Sequence, residues 1–438
     1  MKVQINKNIL VNALEKMHTV STRALIPNFS FTGKVTIEVK NSGRAVLTSS
    51  NGCLTVQEEV QTHDVSDKGI CTTDSVKFRD AVKLIITESD DDPIELHIDG
   101  DMLVIRDAKA KRRKLVKLPQ ETSHHNTKVM KKPDGDSFFL NPERFRKGFR
   151  AVAPFVSKGS YPPQYQTIYM HWTGKETRMI CGDGALFAIM SFPRHAGDSH
   201  KREFKRTILI NQLAVVANIL EGITEDIELI WQDKTTLWFQ AGKTEILARG
   251  LPDIDYVNYE SNAYRTQEAK AYADIKGDDL KEVTNLLVAL QDKERAEQAK
   301  PYSCYITAPS TPGHIRFDIR KKQGKFQCEY EIPAEYYNLG NQPTFECCYA
   351  HLFFVSPCQT MLHPYLRLYL IDETGPGIVN ARDAELGDKD RDGIPVIKEE
   401  EDECTFQFFF ARLKDDEVDE ADDGDEVEGG EDKETDEK

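Results

Sequence analysis

No apolar run in this 438-residue chain approaches the roughly 20 residues that span a bilayer, and its opening residues do not form a signal peptide. The expectation is a cytoplasmic protein. Cysteine lacks pattern more than number. Nine are present, an odd count, only Cys347 and Cys348 are adjacent, and no CxxC or Cys/His ligand spacing occurs. That argues against a disulfide framework and against a structural zinc site, and predicts reduced, mostly buried thiols. Catalytic signatures are missing too: there is no phosphate-binding loop, no HExxH and no GxSxG. Gly182-Asp183-Gly184 makes a carboxylate turn, but nothing in the sequence pairs with Asp183. The chain is expected not to be an enzyme and to need no cofactor.

Apolar residues make up 39% of the chain and charged residues 30%, so most of it should fold, and its length suits two to four domains. The formal charge of −16 is unevenly placed. Residues 414–438 carry 15 acidic and 3 basic side chains, and residues 381–403 carry 10 and 4, which leaves the rest of the chain at +2. A near-neutral body with segregated acidic segments is compatible with nucleic-acid binding, whose footprint is a basic stripe and not bulk charge. The last 25 residues hold almost nothing that can enter a core and should be disordered.

The strongest signal is internal repetition. Val3–Met17, Phe138–Val152 and Ala273–Leu287 share an apolar strand end, a turn and an amphipathic helix. Ile5, Leu140 and Ile275 are spaced by 135 residues both times, and so are Leu10, Phe145 and Leu280; Ala13, Gly148 and Val283; and Met17, Val152 and Leu287. Offsets of three, four and seven put one face of each helix against a core. Asn6 and Asn141 suit the N-cap, and Pro142 the first helical turn. Second helices are predicted near Ser75–Ile86, Asn211–Leu220 and Tyr349–Gln359, the last shortened by Pro357. Phe78, Ala81, Val82 and Ile85 match Leu213, Val216, Ala217 and Leu220, again 135 residues on. Alternating runs at Ala45–Thr48, Glu95–Val104, Thr236–Ala248 and His314–Glu329 read as antiparallel strands.

Over nearly its whole length to Leu413 the sequence resembles the bacterial-type β sliding clamp, the β subunit of DNA polymerase III. MKVQINKNILVNALEKMHTVSTRALIPNFSF resembles the family's opening strand, pore helix and arginine-bearing loop. Asn51–Gly52 with the strand Leu54–Val60 resembles its next hairpin, and CGDGALFAI from Cys181 is similar to its "ATDGHRLAV". Leu251-Pro252-Asp253 resembles its "FPDY", and TFQFFFARL at Thr405–Leu413 its terminal "YVVMPMRL". The order and spacing of these segments carry the resemblance. It implies an α+β fold of three repeated clamp domains, at 1–125, 136–260 and 270–413, each with two helices packed on antiparallel sheets. The third would hold the acidic insertion at 381–403, with the tail after Leu413 outside it. It also implies a head-to-tail homodimeric ring around double-stranded DNA, bound without regard to sequence. The replicative polymerase and the clamp loader would be its partners, and no membrane is involved.

The resemblance implies three sets of site residues. DNA contacts would come from Arg23 in the loop, Arg79 and Lys83, the stripe Arg146, Lys147 and Arg150, and Lys281, which holds the repeat position of Arg146. A solvated charged face is the alternative for each. A partner-peptide pocket between the second and third domains would use Gly182, Gly184, Leu186, Phe187, Pro252, Val257, Phe409, Phe410, Arg412 and Leu413, or these residues are ordinary packing. Here the sequence departs from the family: Ala185–Leu186 replaces His-Arg, Phe408–Ala411 replaces the Met-Pro-Met region, and Tyr256 stands where arginine is usual. The ring seam would use Leu115, Ala289 and Leu290, with Arg113 in place of an aromatic residue, although Leu290 equally suits a core.

One motif lies outside the resemblance. Asp388, Asp390 and Asp392, then Gly393 and Glu399, satisfy a calcium-loop pattern. Pro395 and the lack of flanking helices favour a plain acidic insertion instead. Two other functions remain open: a Mg²⁺-dependent nuclease, which a cleavage assay would reveal, and an acidic interaction scaffold, which would not be retained on circular DNA.

Overall fold

The computed structural model describes residues 1–22, 32–40, 43–109, 115–121, 130–156, 163–198, 203–249, 256–289, 303–320, 327–339, 344–350, 365–371, 377–382 and 405–410, apart from 131, 136, 183–185, 232–235, 257 and 264. One order of elements runs through the first two copies in full and through the described part of a third. The first copy runs β1 (Lys2–Asn6), α1 (Lys7–Ser21), β2 (Lys34–Val39), β3 (Arg44–Ser50), β4 (Leu54–Asp67), β5 (Gly69–Asp74), α2 (Ser75–Leu84), β6 (Pro93–Asp99), β7 (Met102–Asp107) and β8 (Leu115–Pro119). The second has β9 (Ser137–Leu140), α3 (Pro142–Val152), β10 (Thr167–Trp172), β11 (Glu176–Gly182), β12 (Leu186–Pro193), β13 (Phe204–Leu209), α4 (Ile210–Ile219), β14 (Ile227–Trp231), β15 (Thr236–Ala241) and β16 (Thr244–Arg249). A short α5 (Glu260–Ala263) precedes the third: β17 (Ala271–Lys276), α6 (Gly277–Ala289), β18 (Ser303–Ala308), β19 (His314–Arg320), β20 (Gln327–Asn338), β21 (Phe345–Ala350), β22 (Tyr365–Leu370), β23 (Gly377–Arg382) and β24 (Thr405–Phe410). Its second helix, predicted near Tyr349–Gln359, begins where β21 still runs at Tyr349–Ala350, and the rest lies outside the described residues.

The repeat positions read from the sequence are core positions. Ile5, Leu140 and Ile275 are buried, as are Leu10, Phe145 and Leu280, and Ala13 and Val283. Gly148, the counterpart of Ala13, lets α3 lie so close to Phe192 that a Cβ there would overlap the Phe192 ring. The caps form as the residue types require. Asn6 accepts from the Ile9 amide at 3.2 Å, and Asn141 from those of Glu143 and Arg144 at 3.0 and 3.1 Å. Two predicted strand runs divide into hairpins at glycines of positive φ, Gly100 between β6 and β7 and Gly242 between β15 and β16.

By contacts the chain forms two compact units, 1–179 with 192–256, and 180–191 with 257–438. In the first, β1 lies between β4 and β6, and β6, β7 and β8 follow as antiparallel neighbours. Helices α1 and α2 pack together, burying Leu14, Met17, Phe78 and Val82. The same unit pairs β9 with β14 and continues through β15 to β16, and the edge of Phe145 meets the Phe239 ring at 6.3 Å. In the second unit β17 lies between β20 and β22, as β1 does between β4 and β6. Of the cysteines with described side chains, Cys71, Cys181, Cys304 and Cys347 are buried and Cys53 is half-buried.

Each unit also joins two repeats through one strand pair. In the first unit β16 pairs with β4, Thr244 opposite Glu58 through Ala248 opposite Leu54. In the second β24 pairs with β12, Thr405 opposite Ser191 through Phe410 opposite Leu186. The last strand of one repeat thus binds the fourth strand of the repeat before it, twice.

Candidate nucleic-acid interface and partner surfaces

Helix α3 forms because Asn141 and Pro142 start it and Phe145, Ala151 and Val152 are buried on one side. That leaves Arg146 and Lys147 half-buried and Arg150 exposed, at the spacing that places them on one stripe. The helix carries four basic residues against one acidic, Glu143. Among the described residues Arg150 makes no ion pair, and the Arg146 Nε is buried without a hydrogen bond. Such a stripe can bind phosphate oxygens without reading bases.

Arg79 and Lys83 on α2 stand in a different setting. Arg79 lies 3.6 Å from the Glu15 carboxylate on α1 and 2.8 Å from Asp80, and Lys83 bonds Glu15 as well. Their charge is met locally. Burial, and next the Arg79 guanidinium, hold the neighbouring His18 imidazole below its ordinary pKa, against the opposing pull of Glu15 and Asp80. Lys281 is exposed on α6, beside Asp278, Asp279 and Glu282. Arg23 lies outside the described residues.

For the partner pocket, the structure brings Leu186 and Phe187 opposite Phe410 and Phe409 along the β12–β24 pair. Leu186 and Phe187 are buried. A Cβ at Gly182 would overlap the Leu186 carbonyl and the Phe187 ring, so glycine is required there. The side chains of Phe409 and Phe410, and all of Gly184, Pro252, Val257, Arg412 and Leu413, lie outside the described residues. Tyr256, the departure from arginine, stacks face to face on Tyr169 at 4.6 Å.

At the expected seam, Leu115 opens β8, an edge strand paired only with β7 among the described residues, and it is 44% exposed. The sequence reading missed its neighbours Leu84 and Ile86, which are 74% and 66% exposed at the end of α2. The repeat gave no signal of this exposure, since it pairs Leu84 with another apolar residue. Ile219, 135 residues on from Leu84, is 2% exposed in α4. Ala289 closes α6 with its side chain outside the described residues, as are Leu290 and the calcium-pattern residues Asp388, Asp390, Asp392 and Glu399.

The fold is that of the DNA sliding clamps. Among solved structures the chain is similar to the DNA polymerase III β subunit of Pseudomonas aeruginosa, with a TM-score of 0.75 at 14% identity over 94% of this chain and 100% of that one. The β subunit of Thermotoga maritima gives 0.73 at 12% identity over 94% and 99%. The Helicobacter pylori β clamp bound to a DNA ligase peptide gives 0.69 at 14% identity over 94% and 100%. No protein-family model matches the sequence, and no curated protein matches it. No helix among the described residues is long and apolar enough to cross a membrane.

Proposed function

We propose that this chain is a DNA sliding clamp: two copies close head to tail around duplex DNA and tether the replicative polymerase, with no chemistry of their own. One observation carries the reading. The β4–β16 and β12–β24 joins are equivalent, and the two strands a third join would use, β20 and β8, are not paired in this way among the described residues. Ile5 opposite Thr62 and Ile275 opposite Ala334 set β20 in register with β4. Residues Thr55–Glu58 of β4 pair with both β3 and β16. Their counterparts Gln327–Tyr330 of β20 pair, among the described residues, with β19 alone. The strand that would complete this join is β8, the only last strand of a repeat not already so used.

The apolar surface agrees. Leu115 and Leu84 are 44% and 74% exposed, whereas Ile219, the counterpart of Leu84 in the repeat whose join is filled, is 2% exposed. A second copy supplies β20 to this β8 and β8 to this β20, a head-to-tail contact that closes after two chains and three repeats from each. Topological linkage then makes tight DNA binding unnecessary, and weak phosphate contacts allow sliding.

The same reading gives β12 and β24 a second role, as the framework of a groove for short peptides of the polymerase, the clamp loader and repair proteins. The ligase peptide on the Helicobacter pylori clamp supports it. Light scattering should give about 100 kDa, two copies of a 49.8 kDa chain. Leu84→Glu with Leu115→Glu should give monomers that still fold. Wild-type protein loaded on nicked circular DNA should stay bound and be lost when the circle is linearised. A monomer at micromolar concentration, or equal retention on linear DNA, would overturn the reading.

A further inference from the structure

The three first helices are equivalent in the fold, yet their outward charge differs position by position. The stripe Arg146, Lys147 and Arg150 on α3 is matched on α1 by Val11, Asn12 and Glu15 and on α6 by Lys281, Glu282 and Asn285. All three of the α6 residues are exposed, so this is a difference of surface and not of core. Helix α6 also opens on Asp278 and Asp279, where α3 has Glu143 and Arg144. On α1 the single charged member, Glu15, holds Arg79 and Lys83 from α2 in ion pairs. The second helix of the middle repeat, α4, carries no charge at all.

We infer that, among the described helices that open the repeats, the phosphate contact is confined to α3, that α6 repels the duplex, and that Glu15 and Asp80 neutralise Arg79 and Lys83 where α1 meets α2. Resting on the clamp reading, this gives each chain one basic first helix in place of three. Lys281 then belongs to an acidic helix and is no DNA contact, although it shares the repeat position of Arg146. Glu15 acts as a restraint, because its carboxylate competes with phosphate for Arg79 and Lys83. Each phosphate neutralised adds about 0.9 to the slope of log affinity against log salt, so the number of contacting side chains can be counted.

The test is equilibrium binding of the intact protein to a short linear duplex, followed by fluorescence anisotropy from low to physiological salt. Lys147→Gln with Arg150→Gln should weaken binding at least tenfold at low salt and lower the slope by about two. Lys281→Gln should leave the slope unchanged. Glu15→Gln should tighten binding several-fold by releasing Arg79 and Lys83. A loss of slope from Lys281→Gln equal to that from Arg150→Gln would overturn the inference, and so would an unchanged slope in the α3 variant. Retention of the wild type on nicked circular DNA is scored separately. Its failure would remove the clamp reading, while the linear duplex still decides which helix meets the phosphates.

Discussion

At the scale of single residues, the positions that pack were legible and the positions that pair were not. Ile5, Phe145 and Val283 declared themselves because burial repeats with the helix period and with the 135-residue register. Glu15 did not, because its partners Arg79 and Lys83 lie more than 60 residues along the chain, and no local pattern records such a meeting. His18 shares that cluster, and its folded pKa is held below the unfolded value, chiefly by burial. The unfolded chain therefore takes up the proton first as pH falls. Stability present above about pH 6.5 is lost between that value and the lower folded pKa. Melting temperature should fall further in the wild type than in His18→Gln between pH 7 and 5, and parallel curves would show that His18 is not the titrating group. Cys71 offers a second check. Burial pushes its thiol up to about 12, so it should resist iodoacetamide at pH 8 in the folded protein and react once the protein is unfolded.

At the scale of elements, the helix starts were readable because caps are local chemistry. Asn141 satisfies two amides that the first turn of α3 leaves open, and Pro142 needs none. Asp74 does the same for α2, accepting from the Lys77 amide at 2.8 Å, and its acidic side chain was as good a signal as Asn6. Asn141→Ala should cost about 1 kcal/mol in chemical denaturation. If α3 is the DNA-binding element, the same change should weaken duplex binding while leaving dimer mass unaltered, since the stripe of Arg146, Lys147 and Arg150 begins one turn beyond the cap. Equal binding by Asn141→Ala and wild type would detach the stripe from the helix start. Strand pairing was less legible. Alternation located β16 and the family resemblance located β4 and β24, but nothing in their sequences says that the last strand of one repeat pairs with the fourth strand of the one before, because such pairs form between residues as far apart as Glu58 and Thr244.

At the scale of the whole molecule, charge is segregated: the final 25 residues carry 15 acidic and 3 basic side chains, and in sequence they come just after β24, whose Phe409 and Phe410 are among the residues proposed to hold partner peptides. This tail lies outside the described residues, and its charge is a property of the sequence. An acidic segment with almost nothing to bury acts at a distance only through its field, and that field decays over about 8 Å at physiological salt and about 30 Å at 0.01 M. Truncation after Leu413 should therefore leave the affinity for an uncharged partner peptide unchanged at every salt concentration. For an acidic peptide it should tighten binding only at low ionic strength, with the gain fading as salt rises. The measurement is a titration of both peptides into full-length and truncated protein at the two salt levels. A salt-independent gain for either peptide would mean that the tail occupies the groove by direct contact, and identical affinities in all four arms would leave it no part in partner choice.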